Sequence, residues 1–181
     1  KLEHVAEAAS VLAFNAIKNN DKVGAVFFTN TVEKYIPPKK GSSHIWRVIK
    51  EIFTFSPNGS GTNISGALDF LGKVCKKRSF VFVLSDFYDQ GYLNSLRSIR
   101  RKHEPIGVVI YDKGSERLPA RGIVCFSDYE TGESLFFDGF DKTIRDRFHQ
   151  IKTGHIEETR AMFIKAKSDV IEMATEASVV D

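Results

Sequence analysis

Cysteine is scarce: the 181 residues contain two, Cys75 and Cys125. Two thiols this far apart cannot make a disulfide framework, and neither belongs to a Cys-x-x-Cys metal or redox pair. Both lie in apolar surroundings and read as reduced core cysteines, which fits a cytoplasmic location. Long apolar runs are missing as well. No stretch approaches the ~18 residues a membrane span needs, and the N-terminus lacks the pattern of a secretion signal. Charge of one sign is not in large excess, the net charge being +3. That balance permits an acidic partner without calling for nucleic acid. The five histidines show no His-x-x-x-His spacing and no nearby Glu-x-x-His, so they read as scattered side chains. There is no Gly-x-x-x-x-Gly-Lys-Ser/Thr phosphate loop and no Gly-x-Ser-x-Gly nucleophile elbow.

What remains is an ordinary globular composition, 42% hydrophobic and 27% charged. A chain of this size buries roughly 70% of its unfolded surface, enough for one core. Apolar residues recur at helical spacing from Leu2 to Ile17, and Asn19, Asn20 and Asp21 end that helix. Lys1 is not Met and already lies in the helical pattern, which implies a chain cut from a longer one. Val23 to Thr29 and Val32 to Ile36 read as a hairpin turning at Thr29-Asn30-Thr31. Pro37-Pro38 should stop its second strand. Ser42-Ser43 can cap a helix from His44 to about Phe53, in which Trp46 is a core or helix-packing residue. After the polar loop Ser56 to Gly61, a helix is expected from Ile64 to Val74.

Arg78 to Leu84 is a strand whose continuous apolar run suits a parallel sheet covered on both faces. A helix from Tyr92 to Lys102 and a strand from Ile106 to Ile110 follow. Gly122 to Ser127 and Ser134 to Phe137 form a hairpin with Gly132 in its turn. Asp141 to Lys167 reads as a long helix, bent near Gly154, and Val170 to Met173 as a last strand. Strands alternating with helices imply an α/β fold with a doubly wound, mostly parallel, Rossmann-like sheet and helices on both faces. No repeat, low-complexity tract or boundary divides it, so residues 1–181 form one domain.

Ligands of such sheets bind beyond the carboxyl ends of the strands. Ser85, Asp86 and Asp89 follow the most apolar strand, and Thr62 and Asn63 open the helix before it. Aspartate and threonine oxygens are the hard donors magnesium prefers. The same residues also suit a plainer role. Thr62 or Asn63 would cap the helix at Ile64, and Asp86 or Asp89 the helix that follows them. Arg97, Arg100, Arg101 and Lys102, like Lys76-Lys77-Arg78, sit where cations favour a helix C-terminus. The match of Glu130-Thr131-Gly132-Glu133 to an acidic degron is discarded as a short coincidence in a turn.

Six segments occur in order along the chain. They are Asn20 to Gly24, Tyr35 to Pro38, Gly61 to Ile64, Leu84 to Phe87, Leu118 to Gly122 and Asp128 to Glu133. Together they resemble the bacterial family of von Willebrand factor A-like proteins encoded beside MoxR-type AAA+ ATPases (domain of unknown function fifty-eight). The resemblance runs from Lys1 to about Met173. It implies a metal-ion-dependent adhesion site in which Thr62 matches the second-loop threonine and Asp86 the third-loop aspartate. The family's first loop carries an Asp-x-Ser-x-Ser motif after a central opening strand. This chain has neither, since Lys1 matches a position just downstream.

The expectation is therefore a protein-interaction module, not an enzyme. It would partner a MoxR-type ATPase in chaperone-like protein maturation, and a partner's carboxylate would complete a magnesium site in the intact protein. Thr62 and Asp86 would be remnant metal ligands, with Asn63, Ser85 and Asp89 at the partner-binding rim. This chain alone should bind magnesium weakly or not at all. The rival expectation is a magnesium-dependent phosphate-handling enzyme using Asp86. That chemistry normally places a second carboxylate two residues on, where this chain has Tyr88.

Overall fold

The computed structural model describes residues 2–112, 117–127 and 134–175. Its elements run α1 (Leu2–Lys18), β1 (Val23–Phe28), β2 (Val32–Lys39), α2 (Ser42–Thr54), α3 (Ile64–Val74) and β3 (Phe80–Ser85). They continue with α4 (Leu93–Arg100), β4 (Glu104–Asp112), β5 (Ile123–Ser127), β6 (Ser134–Asp138), α5 (Lys142–Lys165) and β7 (Asp169–Thr175). The fold is mixed α/β, and a three-stranded parallel sheet ordered β3-β4-β7 carries its core.

Parallel pairing runs from Phe80 opposite Glu104 to Ser85 opposite Val109, and β7 joins with Asp169 opposite Ile106. Val81 and Val83 of β3, Ile64 and Leu68 of α3, and Leu96 and Ile99 of α4 meet in one buried cluster with Phe163 of α5. Gly107 of β4 sits against Phe163, where a Cβ would lie 2.6 Å from the ring. A side chain there would displace the most enclosed aromatic of α5.

The remaining strands form separate antiparallel pairs, β1 with β2 and β5 with β6. The β5–β6 pairing follows the expected hairpin, with Ile123 opposite Asp138. Its turn, including Glu130 to Glu133, lies outside the described residues. Pro37-Pro38 do not end β2, which continues to Lys39. The β1–β2 register jumps from Val23 opposite Lys39 to Ala25 opposite Ile36, so the prolines fall in a bulge. A bulge on a strand with one neighbour tolerates residues that cannot donate. Gly24 permits the close approach: a Cβ there would stand 2.7 Å from the Ile36 carbonyl.

Several boundaries and environments also shift. α2 starts at Ser42, placing both serines inside the first turn and Gly41 at the cap. α5 runs unbroken across Gly154. The cysteines are free, as expected, yet neither is a core residue: Cys75 is half-buried and Cys125 exposed. Cys125 lies in β5, which pairs with β6 alone among the described residues, so an apolar neighbourhood in sequence does not become burial. Trp46 packs edge-on against Phe14 of α1, with ring centroids 5.1 Å apart, and remains largely exposed.

One histidine is fully buried. His103 is 1% exposed, and neither ring nitrogen reaches a well-aligned partner. Burial pushes its pKa below 6.5, Lys102 adds to the effect, and the nearby Cys75 carbonyl opposes it. Above pH 6.5 the ring is neutral in both folded and unfolded chains. Below that value the unfolded chain takes up the proton first, so stability falls with pH until the folded-state pKa is passed. Melting followed between pH 7 and about pH 5 should show this acid-side loss, and His103→Leu should flatten it. An unchanged profile in the variant would remove His103 from the account.

Candidate functional site

The carboxyl edge of the parallel sheet is built by two loops that fasten to each other. At the start of α3, the Asn63 side-chain oxygen accepts from the Gly66 N–H at 2.7 Å, an N-cap. The Asn63 N–H donates to the Thr29 carbonyl at 2.8 Å, and its side-chain amide reaches the Asn30 carbonyl. The β1–β2 turn thereby holds the α3 entry. Glu33 fixes the loop before it, accepting from the N–H groups of Asn58 (2.8 Å) and Gly59 (3.0 Å) and from the Thr29 hydroxyl. Those bonds, led by Asn58, keep the Glu33 carboxyl below its usual pKa.

The second loop follows β3. Asp89 reaches across to α3, one carboxylate oxygen accepting from the Ile64 N–H at 2.7 Å. Its other oxygen accepts from Gln90 N–H at 2.7 Å. Ser85 Oγ accepts from the Phe87 N–H at 3.0 Å. Phe87 has φ of 58° although it is not glycine, and it is buried. Left-handed backbone at a bulky residue costs about 1–3 kcal/mol and persists where the surroundings impose it. Here the phenylalanine ring is wedged edge-on against Phe163, centroids 5.3 Å apart, and beside Tyr92 at 5.8 Å.

α5 clasps the same loop. His155 Nε2 hydrogen-bonds the Asp86 carbonyl at 2.7 Å, and Tyr88 stacks on the His155 ring at 4.0 Å. Lys152 donates to the Tyr88 hydroxyl at 2.8 Å. Main-chain bonding, a fixed left-handed residue and a stacked pair leave the Asp86 loop little freedom. The rim therefore gathers side-chain and main-chain oxygens beside Lys152 and His155.

The family described as Protein of unknown function DUF58 matches residues 1–158. The chain belongs to that family. Among solved structures, this DUF58 chain is similar to the crystal structure of the conserved hypothetical protein BatB from Bacteroides thetaiotaomicron. The two are 14% identical with a TM-score of 0.56, over 94% of this chain and 80% of that one. At that identity the likeness concerns the fold alone. No curated protein matches.

The five residues singled out in this DUF58 chain divide by what they touch. Asn63 and Asp89 are committed to the α3 N-terminus and Ser85 to its own loop. Asp89 thus caps the preceding helix, across the chain, while α4 has Tyr92 at its N-cap position and no side-chain cap. Thr62 is exposed and Asp86 half-buried. The Ile64–Asp89 bond draws their two loops to one rim. Glu33, Tyr88, Lys152 and His155 carry no sequence motif, since each acts through a partner far away in sequence; Phe87, inside the Leu84–Phe87 segment, acts through a backbone angle that the segment does not announce.

Asp89→Ala is expected to cost about 2 kcal/mol, because two backbone donors lose a charged acceptor. For a chain of this length that lowers the melting temperature by about 4–8 °C. Asp89→Asn, which retains one carbonyl oxygen, should recover part of it. Equal melting of Asp89→Ala and the parent in a calorimeter would deny the bond its role.

Proposed function

We propose that this chain is the interaction part of a von Willebrand factor A-like, doubly wound protein, docking a protein partner at the Thr62–Ile64 and Ser85–Asp89 rim. The partner in this reading is a MoxR-type AAA+ ATPase, acting in the cytoplasm in chaperone-like protein maturation. What carries the reading is the 2.7 Å bond from the Ile64 N–H to Asp89, which fastens two oxygen-bearing loops at the ligand-binding edge of a parallel sheet. The separation of β1–β2 from β3-β4-β7 supports the finer fold, in which a further strand is expected between β1 and β3.

Magnesium fits this donor set poorly. Of five oxygen-bearing side chains, Asn63, Ser85 and Asp89 already accept main-chain N–H groups. Among the described residues no cluster of three or more His, Cys, Asp or Glu could hold a metal. The chain contains no Asp-x-Ser-x-Ser segment to add further oxygens to Thr62 and Asp86. Calorimetric titration of this chain with magnesium should show no saturation in the range of a dedicated site.

The direct test is affinity for a purified MoxR-type ATPase, measured for the parent, Thr62→Ala and Asp86→Ala. Losing a hydrogen bond to a charged group at such an interface weakens binding about tenfold or more. Equal affinity of all three proteins, or no binding by the parent, would sink the reading. Phosphatase turnover with and without magnesium is the control for the rival enzyme. Activity abolished by Asp86→Asn would replace docking with catalysis.

A further inference from the structure

At the amino edge of the parallel sheet, opposite the rim, three helices end together. The end of α3 carries Lys73, Lys76, Lys77 and Arg78; the end of α4 carries Arg97, Arg100, Arg101 and Lys102. The turn from α5 to β7 adds Lys165 and Lys167. Two contacts prove these ends adjacent. Lys102 Nζ donates to the Cys75 carbonyl at 2.9 Å, and Arg100 Nε donates to the Lys167 carbonyl at 2.9 Å.

The acids of these three turns are Glu104 and Asp169. Glu104 is shared between Arg78 and Arg100, which holds its carboxyl below the usual range. Lys73, Lys76, Lys77, Arg97 and Arg101 are exposed and make no side-chain bond among the described residues. A helix C-terminus is complemented by one or two cations worth about 0.3–1 kcal/mol each. Five such cations on two converging ends, with Lys165 and Lys167 at the third, exceed that need, and they stand out on a chain whose net charge is only +3.

We propose that this end of the molecule binds an anionic phospholipid surface. The cations come from three separate helix ends and face outward from one edge of the sheet, which suits a plane of headgroups. They are flanked by bulky exposed apolar residues: Phe80, 70% exposed, follows Arg78 closely, and Ile164, 65% exposed, precedes Lys165. Cations beside exposed apolar side chains favour the membrane interface. Single-stranded nucleic acid asks instead for several stacking aromatics, and this edge offers one, Phe80. Docked this way, the molecule turns the Thr62–Asp89 rim away from the bilayer. The proposal stands independently of what that rim binds.

Co-sedimentation with vesicles tests it. Vesicles of phosphatidylcholine with phosphatidylglycerol should take down the chain, and vesicles of phosphatidylcholine alone should not. Raising the ionic strength from about 0.1 M to about 1 M, where the Debye length shrinks to about 3 Å, should release it. Each cation at such a surface is worth about fivefold in partitioning, so Lys76→Gln, Lys77→Gln and Arg101→Gln together should lower it about a hundredfold. Circular dichroism of the triple variant checks its fold, and the pair Lys73→Gln with Arg97→Gln gives an independent second loss. Failure of the parent to sediment, or unaltered sedimentation of both folded variants, overturns the proposal. So does tighter binding to duplex or single-stranded nucleic acid, or to an acidic polypeptide, at equal anion concentration.

Discussion

Phe163→Ala is expected to remove about 3–5 kcal/mol of stability, a large part of the 5–15 kcal/mol typical of a domain. The ring is fully buried and meets α3, α4 and the sheet within one cluster. Truncation leaves a cavity that the surrounding strands cannot close, since β4 is paired on both sides. At about 2–4 °C per kcal/mol for this chain length, the melting temperature should drop by roughly 10 °C. The rim should feel it too, because Phe163 props Phe87 in its left-handed conformation. Gly107 supplies a sharper check. Gly107→Ala should destabilise the parent by about 1–3 kcal/mol, as overpacking does. In the Phe163→Ala background the added methyl enters vacated space, so its cost should vanish or reverse. Additive penalties across the four proteins would mean that the two residues do not compete for the same volume.

The parts of this architecture legible in the sequence are those fixed by local pattern. The run from Phe80 to Leu84 predicts a parallel strand, and β3 is one, although burial reaches only Val81 and Val83 and leaves Phe80 exposed. Asn63 before Ile64 predicts a cap, and that cap is present. Illegible were features made by partners distant along the chain. His155 bonds Asp86, 69 residues away, and imidazole shows no spacing that announces a carbonyl partner. Phe87 takes a positive φ that its side chain disfavours, so no propensity could suggest it. Cys125 looks like core by composition and is exposed because the β5–β6 ribbon stands alone. Pro37 and Pro38 announce a stop that a bulge absorbs. The bond that ties Asp89 to the α3 entry, 25 residues away, likewise had no local signal.

The chain on its own is expected to self-associate. β1 is hydrogen-bonded to β2 alone and β3 to β4 alone among the described residues, so each has one unpaired edge. Both strands are apolar, VGAVFF and FVFVLS, yet five of the six β1 residues are only half-buried and Phe80 of β3 is exposed. Phe28 of β1 packs against the cluster that contains Ile64, Leu68, Val81 and Val83, so the helical layer bridges strands that do not bond each other. Flat apolar edges with unpaired N–H and C=O groups template pairing with other chains. Buried backbone groups without partners are costly, which drives the same association. Light scattering after size exclusion at about 10 μM should therefore give masses above the 20.4 kDa of one chain, rising with concentration. Melting should be broad, because two ladders that share helices without sharing hydrogen bonds need not unfold together. A lysine at the β1 edge, Val26→Lys, should shift the sample toward single chains, since edge charges oppose pairing. A parent that runs as one chain at every concentration and melts in one sharp transition would show the edges to be satisfied. The strand proposed between β1 and β3 would then have no place to enter.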